Sequence, residues 1–143
     1  MKTDFDSMTQ YFSRKSKVLS KIWYDNLESL HASTYENDDE VVFEIAEALY
    51  LLGKRISDEF FALVQDIEKF EEPSLNQRYL QTVLECAEHS IKKEKDLISK
   101  AKTLMAKKKN PYRILQELIA LDVEILEALR TLRRDIKAYI KCA

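Results

Sequence analysis

The chain has 143 residues, 45% of them apolar, which predicts one folded domain over residues 1–143 with a continuous core. A single glycine and two prolines leave little material for tight turns or phosphate-binding loops, which excludes most nucleotide-binding folds. The net charge is −2, and no apolar run reaches the roughly 18 residues of a membrane span. We expect a cytoplasmic protein without membrane contact, in which Cys86 and Cys142 are reduced thiols.

Apolar residues spaced three and four apart predict four helices. The first is expected over residues 4–31 and ends in the polar stretch STYENDDE. The second is expected over residues 39–70, with acids at its start that suit the positive end of a helix. Gly53 lies in the middle of this second helix, where it indicates a close helix crossing, a kink or a tolerated glycine.

The third helix is expected over residues 74–109 and ends before Pro111, and the fourth over residues 111–141. Helices of similar length with short connections favour an all-α, antiparallel up-down-up-down four-helix bundle. The polar stretch from Ala32 to Asp39 is also long enough to be a hinge through which the first helix swaps between chains.

The charges are divided unevenly along the chain. Residues 1–90 hold nine Lys and Arg against eighteen Asp and Glu, whereas residues 91–143 hold fourteen against seven. The basic half either contacts a polyanion such as nucleic acid, or is neutralised by acids at the same ends of the bundle, Asp38–Glu47 and Asp66–Glu72. The residues predicted for a polyanion contact are Lys100, Lys107, Lys108, Lys109, Arg113, Arg130, Arg134, Lys137 and Lys141.

One short motif suggests chemistry. Glu28 and His31 have the Glu-x-x-His spacing by which bundle helices hold carboxylate-bridged metal ions, but such a site needs a second copy of the motif. His89 does not provide it, because the acids before it, Glu85 and Glu88, have a different spacing. No polar cluster is expected on a core-facing side. The sequence therefore predicts that the protein holds no metal ion or cofactor and is not an enzyme.

Apolar residues outside the main stripes form a second face on the second and fourth helices. They either fill contacts with a second neighbouring helix or form a face for a partner or a second copy of the chain. This face consists of Phe43, Tyr50, Leu51, Phe61, Leu115, Ile119, Val123 and Leu126.

The sequence thus favours a non-catalytic protein–protein interaction module, a small subunit or adaptor that forms a homo-oligomer. The alternative is an accessory protein for nucleic acid that uses the basic half for phosphate contacts. A metal-binding bundle is the weakest alternative.

Overall fold

The computed structural model describes residues 5–67, 69, 71–108 and 112–142, with the side chain of Cys142 excepted. Four helices run through them, α1 (Phe5–Glu36), α2 (Glu40–Gln65), α3 (Pro73–Ala106) and α4 (Arg113–Cys142). They pack as a bundle, which confirms the predicted all-α fold class. Within the described ranges, no helix is both long enough and apolar enough to cross a membrane.

The C-terminal ends of α1, α2 and α3 each differ from the predicted positions by three to five residues. α1 runs five residues beyond His31, because the buried Thr34 stays within the helix and donates its hydroxyl hydrogen bond to the Leu30 carbonyl. The chain then turns at Asp38, whose φ of 56° lies in the left-handed region, and Asp39 N–H donates to Thr34 O at 2.7 Å. α2 ends at Gln65, and the predicted ends at residues 70 and 109–111 lie outside the described residues.

The four helices are not arranged as a square. α2 and α4 contact each other across the bundle, whereas α1 and α3 have no packing contact in the described part of the chain. The cross-section is therefore a rhombus, with α1 and α3 at the two ends of its long diagonal.

Gly53 allows α2 and α4 to approach each other closely across the bundle. A β-carbon at Gly53 would stand 2.5 Å from Asp122 Oδ1 of α4 and 3.0 Å from Leu19 Cδ1 of α1. Because a carbon and an oxygen cannot approach so closely, only glycine fits this backbone position without a shift of its neighbours. Of the three interpretations drawn from the sequence, the close helix crossing is the one found.

The core runs through all four helices. Phe12 of α1 packs on Phe60 of α2 with ring centroids 5.7 Å apart. Burying side chains of this size contributes about 1.5–3 kcal/mol each before conformational entropy is counted. The largest fully buried side chains are Phe12, Leu19, Leu49, Ile56, Phe60, Leu80, Leu115, Leu118, Ile125, Leu129, Leu132 and Ile136.

One polar contact joins the two helix connections at one end of the bundle. The Asp39 carboxylate accepts hydrogen bonds from Lys108 Nζ at 2.5 Å and from Tyr112 OH at 2.7 Å. These two hydrogen bonds hold the pKa of Asp39 below its ordinary value. The turn between α1 and α2 is thus fixed against the connection between α3 and α4.

Candidate interaction surface

The middle of the bundle contains two carboxyl groups that the sequence analysis did not expect there. Glu94 of α3 and Asp122 of α4 are both 0% exposed, and among the described residues their carboxyl groups have no hydrogen-bond partner other than each other. Burial raises the pKa of Glu94, and burial together with the nearby Glu94 charge raises the pKa of Asp122. The expectation that no polar cluster lies on a core-facing side is therefore wrong.

The surroundings of this carboxyl pair offer few further groups for chemistry. The hydroxyl of Ser57, also fully buried, has no partner in the described part of the chain either. Over the residues that the structure describes, no group of three or more His, Cys, Asp and Glu side chains is placed to hold a metal ion. At neutral pH the raised pKa values of Glu94 and Asp122 favour the protonated, uncharged carboxyl groups. The pair is therefore an uncharged polar contact within the apolar core.

Aromatic side chains line the outer seam between α1 and α2. Trp23 stacks on Tyr50, with ring centroids 5.0 Å apart and an interplanar angle of 5°. Tyr24 meets the edge of Tyr50 at 6.2 Å, and Phe43 lies 5.9 Å from Trp23. His31 packs edge-on against Phe43 at 5.2 Å. The seam is therefore one series of ring contacts along both helices.

Two rows of exposed side chains flank this seam. The row on α1 is Tyr24, Glu28, His31 and Tyr35, and the row on α2 is Glu40, Glu44, Glu47 and Leu51. Both rows have steps of four, three and four residues, which place each row on one side of its helix. We call these eight residues the acidic-aromatic face.

The two rows meet in a cleft of about 200 Å³. Its walls include His31 and Tyr35 from α1, and Glu40, Phe43 and Glu44 from α2. The face is therefore continuous across the seam at the end of the bundle where α1 turns into α2.

The apolar members of this face are largely open to solvent. Tyr24 is 68% exposed, Tyr35 is 75% exposed and Leu51 is 55% exposed. Isolated exposed apolar residues are ordinary, but large ones grouped on one side of a helix pair are typical of a binding surface.

The face also lies in a segment that has no Lys or Arg. Between Lys21 and Lys54 the chain has eight Asp and Glu and neither Lys nor Arg. Of these eight acids, Asp39 alone forms an ion pair within the described residues, with Lys108. The four glutamates of the acidic-aromatic face thus keep their charge uncompensated by the rest of the described chain.

Some residues of the predicted apolar face are buried in the structure, and others are exposed. Leu115, Ile119 and Leu126 of α4 are buried in the core, as is Tyr50 of α2. These four residues fill contacts between neighbouring helices, which was the alternative interpretation of the pattern. Val123 of α4 is half-buried. The free part of the predicted face lies on α2, where Leu51 and Phe61 are exposed and Phe43 is half-buried.

An apolar groove, separate from the cleft between α1 and α2, lies between α1 and α4 and has a volume of about 690 Å³. Met8, Tyr11 and Phe12 of α1 line one wall, and Val123 and Ala128 of α4 are on the other. Lys15 and Glu124 form an ion pair between the same two helices.

Of the five α4 residues predicted for a polyanion contact, all but Lys141 form an ion pair with a described residue. Arg113 pairs with Glu117, Arg130 with Glu127 and Arg134 with Asp135, all within that helix, and Lys137 reaches Glu88 of α3. The acids that form these ion pairs lie on α3 and α4, and the described residues of the Asp66–Glu72 stretch form no ion pair with these four basic residues. At the other end, Lys108 and Asp39 pair as expected.

The other described lysines in and directly after α3, unlike Lys108, form no ion pair with a described residue. Lys100 and Lys107 are exposed and form no ion pair with a described residue, and the same holds for Lys92, Lys93, Lys95 and Lys102. Among the exposed residues from Ile91 to Lys108, Asp96 is the single acid. Lys141 at the end of α4 is also exposed without a described partner, and Lys109 lies outside the described residues.

Comparison of the chain with protein-family models, with curated proteins and with solved structures gives no match.

Proposed function

We propose that the protein is a non-catalytic protein–protein interaction module, acting as a small subunit or adaptor through the acidic-aromatic face. The observation that carries the proposal is the exposure of Tyr24, Tyr35 and Leu51 beside four unpaired glutamates. Tyrosine is enriched at binding hot spots because a large ring contributes contact area at a small cost in conformational entropy. The proposal keeps the cytoplasmic location expected from the sequence.

The seam beneath the face supports this role. Trp23, only 4% exposed, and Tyr50 hold the exposed residues on two packed helices, so a partner would meet a preorganised surface. The proposal replaces the face first predicted on α2 and α4 with one on α1 and α2, because the α4 members other than Val123 are buried.

Affinity capture with matched variants tests the proposal. The tagged protein, a Tyr24→Ser and Leu51→Ser variant, and a Leu75→Ser control are each incubated with lysate of the cells that express the chain. Leu75 is 44% exposed and lies on α3, so its loss removes exposed apolar surface away from the face. We expect a protein retained by the wild type and the control but lost from the double variant. Identical retention by all three would refute the proposed face.

Trp23 gives a second measurement of the same site. It is the single tryptophan of the chain, and its ring lies directly under the face. A purified partner that covers the face should change the Trp23 emission of the wild type. An unchanged spectrum under saturating partner would place the contact elsewhere.

A second candidate function is an accessory role on nucleic acid, which the unpaired lysines of α3 favour. A phosphate contact of this kind should weaken steeply as salt rises. Binding of a labelled single-stranded DNA to the wild type and to a Lys100→Glu and Lys107→Glu variant, measured over a salt series, tests it. Equal binding by both proteins would exclude these lysines as the contact.

A further inference from the structure

The acidic-aromatic face has an unpaired counterpart of opposite charge in the same molecule. Lys93 and Lys100 on the outer side of α3, and Lys107 directly after its last residue, follow one another at seven-residue intervals, and we call them the lysine stripe. All three are exposed, and none forms an ion pair with a described residue. Two complementary surfaces are thus left open on one chain.

We infer that the acidic-aromatic face of one copy binds the lysine stripe of a second copy. This inference rests on the proposed function, since it names the partner of the same face. The seven-residue spacing supports it, because at 1.5 Å per residue Lys100 and Lys107 lie about 10.5 Å apart along their helix. Glu40 and Glu47 have the same spacing on α2, so one helix can lie along the other with both ion pairs formed.

The apolar part of the face suits lysine as well. The methylene stem of a lysine packs on apolar surface, and its ammonium group is attracted to the face of an aromatic ring. Tyr24 and Tyr35 present such rings beside Glu28 and Glu40, which supply the opposite charge. Ion pairs between exposed groups are individually weak, so the contact depends on several of them together with this packing.

The positions of the two surfaces bear on the kind of assembly. Glu40, Glu44 and Glu47 lie on α2, which packs directly against α3, the helix of the lysine stripe. The ion pair between Asp39 and Lys108 places the start of α2 and the end of α3 at the same end of the bundle. Both surfaces can therefore enter one two-fold interface, and a head-to-tail ring or chain is the other arrangement that satisfies them.

Sedimentation velocity on the full chain over a range of concentrations tests the inference. We expect a dimer or a larger species at about 0.1 M salt, and at least a ten-fold weaker association at about 1 M salt, since the screening length falls from about 10 Å to about 3 Å. A protein that remains monomeric at low salt and high concentration would overturn the inference.

Charge reversal identifies the surfaces. One variant carries Glu40→Lys, Glu44→Lys and Glu47→Lys, and another carries Lys93→Glu, Lys100→Glu and Lys107→Glu. Each alone should be monomeric, because its two surfaces then have the same sign. An equimolar mixture should associate again, since each variant supplies the charge that the other lacks. Failure of the mixture to associate, with both variants folded by circular dichroism, would refute the pairing.

A control reversal and the capture experiment separate the two proposals. The control carries Arg134→Glu, Lys137→Glu and Lys141→Glu on α4, away from both surfaces, and it should associate like the wild type. Loss of association in this control would show that net charge, not the lysine stripe, governs the assembly. If the wild type is monomeric but the Tyr24 and Leu51 variant still loses a captured protein, the second copy is excluded and the interaction module stands.

Discussion

The carboxyl group of Asp122 lies against the backbone of Gly53, so closely that a β-carbon at residue 53 would stand 2.5 Å from Asp122 Oδ1. The single glycine of the chain and one of its fully buried acids therefore form a matched pair at the crossing of α2 and α4. A change in either residue alters the space available to the other.

The first prediction concerns this crossing. Alanine favours a helix over glycine by about 1 kcal/mol, but overpacking a filled core costs about 1–3 kcal/mol. Because the new methyl group would also stand 3.0 Å from Leu19 Cδ1, we expect Gly53→Ala to lower the free energy of unfolding by about 1 kcal/mol. Urea unfolding measures it.

A double-mutant cycle checks the cause. In an Asp122→Ala background only the 3.0 Å contact with Leu19 Cδ1 remains, so Gly53→Ala should be less destabilising there than in the wild type. Equal destabilisation in both backgrounds would show that Asp122 does not make glycine necessary.

The second prediction concerns the buried acids and pH. Burial raises the folded-state pKa of Glu94 and of Asp122 above the unfolded values of about 4, so the folded state holds more protons between these limits. The stability contributed by the protonated pair is complete below about pH 4 and is lost as pH rises through the folded-state pKa values. We expect Asp122→Asn to gain stability relative to the wild type as pH rises, by about 1–3 kcal/mol at alkaline pH.

Urea unfolding of both proteins between about pH 4 and pH 10 covers this window, because burial raises the pKa of Asp122 to about 10. The difference between them reports on the hydrogen-bonded pair of Asp122 and Glu94, because Asp39 and Asp58, whose pKa values are lowered, are unchanged in both. A difference that stays constant with pH would contradict the raised pKa of Asp122.

The fold could be predicted from apolar spacing, because a buried stripe repeats every three to four residues whatever the surrounding sequence. The carboxyl pair was missed although its signal was present. Glu94 stands three residues after Ile91 and four before Ile98, which is a core position, and Asp122 has the matching place between Leu118 and Ile125. Because an acid is seldom buried, an apolar stripe with an acid in it does not by itself predict a buried carboxyl group.

The acidic-aromatic face was missed for a different reason. Each of its rows is visible in the sequence at steps of four, three and four residues, but each mixes Glu with aromatic or apolar residues. A search for apolar stripes alone does not detect a mixed row. The rows become one surface only when α1 and α2 lie side by side, which depends on tertiary packing and not on either helix alone.

The third prediction concerns a hydrogen bond at the end of α2. Tyr79 of α3 donates its hydroxyl hydrogen bond to the Leu63 carbonyl at 2.6 Å. That carbonyl lies in the last turn of α2, where carbonyl groups lack partners within the helix. Tyr79→Phe should therefore lower the free energy of unfolding by about 1 kcal/mol. Tyr35→Phe is the matched control, since Tyr35 is 75% exposed, and it should unfold like the wild type in a thermal or urea experiment.

The fourth prediction compares two leucines that the sequence placed on the same apolar face. Leu126 is 6% exposed and belongs to the core, whereas Leu51 is 55% exposed on the acidic-aromatic face. Leu126→Ala removes buried methyl groups and should cost about 2–5 kcal/mol of unfolding free energy. Leu51→Ala should change it by less than about 0.5 kcal/mol, because an exposed side chain gains little from the fold.

Urea unfolding of the two variants at a single low protein concentration measures the difference without a contribution from self-association. A small effect at Leu126 would return this residue to the candidate partner face. A large effect at Leu51 under the same conditions would mean that its side chain is buried in solution, and the acidic-aromatic face would lose its most exposed aliphatic residue.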